Sequence, residues 1–200
     1  MHLFTQSLSP NGLRVAVFMK EKGIEIETTE IDLRAAENLS DDYLSKNAFG
    51  RVPVLQLDNG KYLSESQAIC KYLEGLHPEP NLFGTNAEEI AMIEMWSRRV
   101  ELNVLIPVAQ AFRNISGFFK DRERVVPEWG EVSAEVAIAS VKLFDNHLRN
   151  HTYLLGDRYC IADMTLAITL DFAKAVGQSL IVDEHIVRWH EDVKSRSTFS

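Results

Sequence analysis

The sequence predicts an α/β domain followed by an all-α domain, on three observations. Short runs of strand type occur only before about residue 77. The stretch PEPNLFGTN, with two prolines, two asparagines and a glycine, then breaks the pattern. After it no convincing strand is found, and the longer apolar patterns have helical periodicity. The expected boundaries are 1–77 for the first domain, 78–86 for a linker and 87–200 for the second.

Each element follows in order. MHLFT reads as a first strand. Ser9 is a good N-cap, and Pro10 stands at the first helical position, where its missing N–H costs nothing. The helix NGLRVAVFMKEK places Leu13, Val17 and either Ala16 or Lys20 on one face, and Gly23 stops it. IEIETTEID alternates as a second strand, and Ser40 caps a short helix, DDYLSKN. Strands VLQL and KYL flank Asp58-Asn59-Gly60, where Asn-Gly supplies the positive φ angles of a tight hairpin. Ser64 with Gln67 fits a capping box before a helix carrying Ala68, Ile69, Tyr72, Leu73 and Leu76 on one side. The order is β-α-β-α-β-β-α. The last two strands form an antiparallel hairpin, and the earlier βα steps imply parallel pairing.

In the second domain a long helical pattern over 87–114 is interrupted by Pro107, a site for a kink. SGFFKDRERVVPEWGE reads as irregular, and VSAEVAIASVKLFDNHLRN as an amphipathic helix. CIADMTLAITLDFAKAV is apolar almost all round and reads as a buried helix, with Asp163 at N3 reaching back to cap residue 160. DEHIVRWHEDVKSR closes the chain as a surface helix.

Composition narrows the function. The net charge is −8 over 200 residues, which argues against nucleic acid and membrane surfaces as partners. Cys70 and Cys160 are the two cysteines, far apart, so no disulfide framework is expected and a reducing compartment is the easier reading. MHLFTQSLSP lacks the basic region of a secretory signal, and no apolar run approaches the ~20 residues of a bilayer span. A cytoplasmic protein is expected. His147 and His151 have metal-binding spacing but lie on a polar helix end, so a solvated surface is the reading there, and no metal is expected.

Four stretches together carry a family resemblance over the whole chain. They are SPNGLRV at 9–15, GRVPVL at 50–55, LSESQAICKYL at 63–73 and GDRYCIADMTLA at 156–167. In this order and spacing they resemble the glutathione transferase superfamily, in its fungal and bacterial cytosolic type; RVELNVLIPVAQAF and EWGE are similar to that group. The resemblance implies a thioredoxin-like N-terminal domain that binds glutathione, and an all-helical C-terminal domain that binds an electrophile. In thioredoxin-like proteins the first corner carries Cys-x-x-Cys; here Ser9 and Gly12 stand at those positions.

The resemblance implies the following site. Glu65 pairs with the γ-glutamyl ammonium, and Ser66, opening a helix, binds the γ-glutamyl carboxylate. The Val52-Pro53 bond is cis and turns the Val52 N–H and C=O toward the tripeptide. Asn38 stands where some relatives have a histidine near the glycine carboxylate, and Gly50 replaces a histidine that some members carry just before the Val-Pro step, with Arg51 beside it as a cation in its stead. The thiol lies near the N-terminus of the first helix, whose field favours thiolate. Ser9 and Asn11 are the catalytic candidates, Ser7 is a second hydroxyl, and backbone N–H groups or a water are the alternatives. The serine that many relatives carry two residues before the proline is replaced by Leu8. Leu8, Ala109, Phe112 and Phe118 are candidates for an apolar electrophile pocket between the domains.

The expected activity is conjugation of glutathione, as co-substrate, to small hydrophobic electrophiles by a homodimer. Two alternatives stand beside it. SPNG resembles the TPNG of bacterial members with glutathione-disulfide reductase activity, which makes a glutathione-dependent disulfide or peroxide reductase the first. A non-catalytic glutathione-binding or regulatory scaffold is the second.

Overall fold

A computed structural model describes residues 1–199 and divides the chain into two compact units, the first Met1–Leu82 and the second from Phe83 onward. The first unit contains β1 (His2–Thr5), α1 (Pro10–Lys22), β2 (Glu27–Glu30), α2 (Asp41–Lys46), β3 (Val54–Gln56), β4 (Tyr62–Ser64) and α3 (Ser66–Leu76). The sheet order is β2-β1-β3-β4, with β1 and β2 parallel and the β1–β3 and β3–β4 pairs antiparallel. Of the βα steps, only the first therefore leads to a parallel pair, since β3 returns antiparallel beside β1. Two reversals leave β4 running with β1, so α1 and α3 both begin at the same end of the sheet.

Helix α1 forms as its residues dictate. Ser9 caps it, with Oγ accepting from Gly12 N–H at 3.1 Å, and Gly23 ends it in the left-handed region at φ 63°. Val15, Phe18, Leu55, Ile69 and Leu73 are fully buried between α1, β3 and α3. A second cluster joins Ile31, Tyr43 and Val54 with Phe4, Leu33 and Val52.

Three expectations change here. Strand β2 has four residues, all exposed, rather than the longer IEIETTEID run. It is an edge strand, so alternation there does not report a buried face. The hairpin loop is a three-residue one: Gly60 N–H bonds Leu57 O, Leu57 N–H bonds Lys61 O, and within it only Gly60, at φ 81°, is left-handed. That is a type I turn closed by a left-handed glycine, not a two-residue turn with Asn59 also positive. The Ser64–Gln67 capping box does not form, because Ser64 ends β4 and Glu65, at φ 68° and ψ 109°, takes the cap position without a side-chain bond.

The second unit is helical: α4 (Ala87–Val100), a wide π turn over Glu101–Leu105, α5 (Ile106–Ser116), α6 (Pro127–Leu148), α7 (Ile161–Ala175) and α8 (Glu184–Lys194). The interruption expected at Pro107 takes the form of that π turn, in which Ile106 N–H reaches back five residues to Glu101 O just before the residue that has no N–H to give. Helix α6 begins at Pro127, so PEWGE is helix and not loop. Gly130 argued against it by propensity, but a Cβ there would lie 2.8 Å from Ile115 Cγ1 on α5, and close helix packing is its reason. Helix α7 is buried along most of its length, as its composition predicts. No helix among the described residues is long and apolar enough to cross a membrane.

Asp163 is fully buried. Its carboxylate accepts from Leu154 N–H at 2.9 Å, Trp189 Nε1 at 2.9 Å, Cys160 N–H at 3.1 Å and Cys160 Sγ at 3.3 Å. It joins the first turn of α7 to α8 and to the preceding loop, more than the cap expected of it. Burial raises its pKa from 3.8 to about 6, against the pull of the four donors. In the first unit Lys22 Nζ, wholly buried, pairs with Glu74 at 2.6 Å, while Glu74 also accepts from Leu82 N–H at 3.0 Å.

Lys22→Met will strand the Glu74 carboxylate and cost roughly 3–5 kcal/mol, read by urea unfolding. The Asp163 carboxyl binds its proton more tightly folded than unfolded, so its contribution to stability is complete below pH 4 and fades as pH rises through 6. The stability of wild type relative to Asp163→Asn will therefore fall by about 3 kcal/mol between those limits and stay level above them. A difference that grows with pH would contradict the burial-driven shift.

Candidate functional site

Two turns and two helix ends of the first unit hold the predicted residues. At the start of α1, Gly12 sits where a Cβ would lie 2.2 Å from Gln6 O, so only glycine lets the helix turn this closely past the end of β1. Ser9 uses its hydroxyl on both sides: Oγ accepts from Gly12 N–H and donates to Gln6 O at 2.7 Å. Its proton is spent on the turn. Ser7 offers its N–H to Glu30 Oε2 at 3.1 Å. Among the described residues, the backbone N–H of Asn11 and its side-chain amide nitrogen have no protein partner.

At the start of α3, Glu65 is exposed in a backbone conformation that costs a non-glycine residue about 1 kcal/mol or more. Ser66 is 5% exposed. Its Oγ accepts from Arg14 Nη1 at 3.0 Å and donates to Asn11 Oδ1 at 3.1 Å. The Ser66 and Gln67 N–H groups have no protein acceptor among the described residues, and the Gln67 amide atoms are buried without one. Two helix N-termini thus present N–H groups and positive dipole ends on one side of the sheet, joined through Ser66.

The second turn runs from Asn47 to Pro53. The Val52-Pro53 bond is cis. Val52 N–H and C=O have no hydrogen-bond partner among the described residues, which leaves them for an extended ligand strand. The preceding carbonyl, of Arg51, accepts from Tyr43 Oη at 2.9 Å and Asn47 Nδ2 at 2.8 Å. Asn38 Nδ2 donates to Gly50 O at 2.7 Å, and its Oδ1 is buried without a partner. Arg51 itself is exposed. Sequence reasoning named Asn38, Arg51, Val52 and Pro53 but missed Tyr43, Asn47 and Arg14, which hold them or Ser66 in place. The one local signal was Asn47 itself, whose Oδ1 accepts from Phe49 N–H two residues on, as asparagine does in turns.

The pocket candidates fall in both units. Leu8 is 84% exposed beside the α1 corner. In the second unit Phe112 and Phe118 have ring centroids 5.5 Å apart, with Phe119 and Phe172 against Phe112, and Ala109 is partly buried one turn earlier on α5. Both cysteines are free and buried, and burial pushes Cys70 up to about 12 and Cys160 well above its usual value, so neither is a ready nucleophile. Thiol chemistry at the α1 corner needs a thiol from outside the chain.

Comparison with known proteins meets this geometry. The model of the glutathione S-transferase N-terminal domain matches residues 8–76, and that of the C-terminal domain residues 131–197. The chain is 29% identical to glutathione S-transferase 2 of Saccharomyces cerevisiae over 98% of its own length and 86% of that protein. Among solved structures it resembles a glutathione S-transferase domain-containing protein of Marinobacter aquaeolei, at 30% identity, a TM-score of 0.96 and full coverage of both chains. It also resembles a class Gtt2 glutathione S-transferase of Vibrio parahaemolyticus, at 36% identity and a TM-score of 0.85, over 100% of this chain and 96% of that one.

Tyr43→Phe and Asn47→Ala each leave the Arg51 carbonyl one donor and will cost about 1 kcal/mol. The double variant removes both of these donors, so its loss in chemical unfolding will exceed the sum of the two singles. Additive losses would show that the two donors do not share the carbonyl.

Proposed function

Because the chain belongs to the glutathione transferase family, we propose that it binds glutathione across the α1 corner, the Val52-Pro53 turn and the start of α3, and transfers the thiolate to small hydrophobic electrophiles. In this reading the N–H groups at the start of α3 hold the γ-glutamyl carboxylate, and Glu65 holds the ammonium. Val52 pairs with the peptide backbone, and Asn38 and Arg51 face the glycine end. The observation that carries the reading is the pair of unfilled helix N-termini linked through Ser66. An extended anion with a thiol fits both at once.

At the α1 corner the helix field lowers the thiol pKa, and the proton leaves to solvent. The Asn11 side-chain nitrogen and backbone N–H, without protein partners among the described residues, are the donors at hand for the sulfur. Ser9 reaches it only by releasing Gln6 O. The thiolate then attacks the electrophilic carbon, forming a C–S bond as the leaving group departs with its electron pair, or as a π bond at that carbon breaks and its pair moves to the neighbouring atom. Leu8, Ala109, Phe112 and Phe118 are the proposed apolar contacts for that electrophile.

The same reading makes the protein a cytoplasmic homodimer acting in detoxification. Two free, buried thiols suit a reducing compartment. Exposed Tyr72 and Leu76 on α3, and Ile90 and Met92 on α4, offer apolar surface to a second copy.

Calorimetric titration with glutathione tests the proposal. Wild type will bind, and Glu65→Gln will weaken binding about tenfold, the loss of one charge-assisted bond, with an unchanged melting temperature. Conjugation of an aromatic chloride, run beside reduction of a mixed glutathione disulfide, separates transferase from reductase. Absence of binding at millimolar glutathione would overturn the reading.

A further inference from the structure

We propose that Arg14 is a positioning residue for the thiol, acting through the chain Arg14 Nη1–H to Ser66 Oγ–H to Asn11 Oδ1, which fixes the Asn11 amide with its nitrogen toward the bound sulfur. The inference rests on the glutathione reading above and assigns Ser66 a second task. Arg14 is 2% exposed in α1, and the serine it reaches lies 52 positions further along the chain. The guanidinium can only donate, so Ser66 Oγ must accept from it. The single hydroxyl proton is then left for another acceptor, and it goes to Asn11 Oδ1 at 3.1 Å. An amide whose oxygen is held this way presents its two N–H donors on the other side, and these have no protein partner among the described residues.

Two consequences follow. The chain is polarised from a permanent cation, and hydrogen bonds in such a series strengthen one another, so Asn11 Nδ2–H becomes a better donor to a thiolate. The work at Ser66 is also divided. Its hydroxyl serves the thiol corner, while its backbone N–H and that of Gln67 remain for the γ-glutamyl carboxylate. The two ends of the ligand site are thus coupled through one side chain.

Titration of enzyme-bound glutathione by ultraviolet thiolate absorbance, with melting curves for each variant, tests this. Ser66→Ala and Asn11→Ala will each raise the bound-thiol midpoint by about one pH unit, a tenfold loss of thiolate below the midpoint. The double variant will raise it no further, because both break one chain. Ser66→Thr, which keeps the hydroxyl, will hold the wild-type midpoint. Arg14→Lys, which keeps the charge but loses the planar fork, will shift it upward. If Ser66→Ala weakens glutathione affinity but leaves the midpoint in place, Ser66 serves the carboxylate alone and the chain is not functional. Additive shifts in the double variant would overturn it equally. If wild type binds no glutathione, the parent reading fails and this one with it.

Discussion

The hydrogen bond between Arg14 and Ser66 rests on one feature of topology. Strands β1 and β4 run the same way because β3 reverses twice between them, so α1 and α3 start at the same end of the sheet. Each start carries unsatisfied N–H groups and a partial positive charge. A buried guanidinium is set beside them. The chain as a whole carries a net charge of −8, yet this one place gathers positive potential. An overall acidic surface and a local anion site are compatible because the field of a helix end decays within a turn, while net charge acts over the whole surface. The site needs no cluster of exposed basic residues. Its positive character comes from backbone dipoles and from a cation kept below the surface.

Backbone strain is found at the same place. Glu65 holds a positive φ that suits glycine better. It is kept there by the ladder of β4 on one side and by Ile69 N–H bonding Glu65 O on the other. A glycine would relieve the backbone but remove the carboxylate. That a charged residue occupies the position, exposed and with no protein partner among the described residues for its side chain, fits a residue kept for contact with something outside the chain.

What the sequence made legible divides by the range of the interaction. The caps of α1, α2 and α7, the left-handed Gly23 and the break near Pro107 all depend on neighbours within a few residues, and each is found; the burial of α7 was legible from its nearly all-round apolar composition. Thr165 and Thr169 fit inside α7 without local warning because each hydroxyl bonds the carbonyl four residues back. The failures are of another kind. PEWGE reads as irregular in sequence, yet it is helical, and its Gly130 packs closely against Ile115 on another helix. The capping box at Ser64 failed because the backbone at Glu65 turns through a conformation no propensity favours. In the site, Val52-Pro53 and Glu65-Ser66 were visible as motifs. Arg14 and Tyr43 were not, since their roles lie in bonds that cross to residues 52 and 8 positions away, while Asn47, four positions from its acceptor, gave only a turn signal.

That asymmetry has a physical cause. The groups proposed to meet a ligand are an exposed side chain and backbone atoms: the carboxylate of Glu65 and the N–H and C=O of Val52. The groups that hold them are buried: Arg14, Ser66, Tyr43 and Asn47. A buried polar group has to satisfy its own hydrogen bonds before it can serve anything else, so its geometry is fixed by the fold and not by the ligand. Each support here satisfies itself on an atom of a candidate site residue or beside one. Tyr43 and Asn47 meet at the Arg51 carbonyl, just before the cis turn, and Arg14 ends at the hydroxyl that opens α3. Stability and preorganisation are then the same set of bonds. An exposed apolar side chain such as Leu8 carries none of that burden, so exchange there leaves the frame intact.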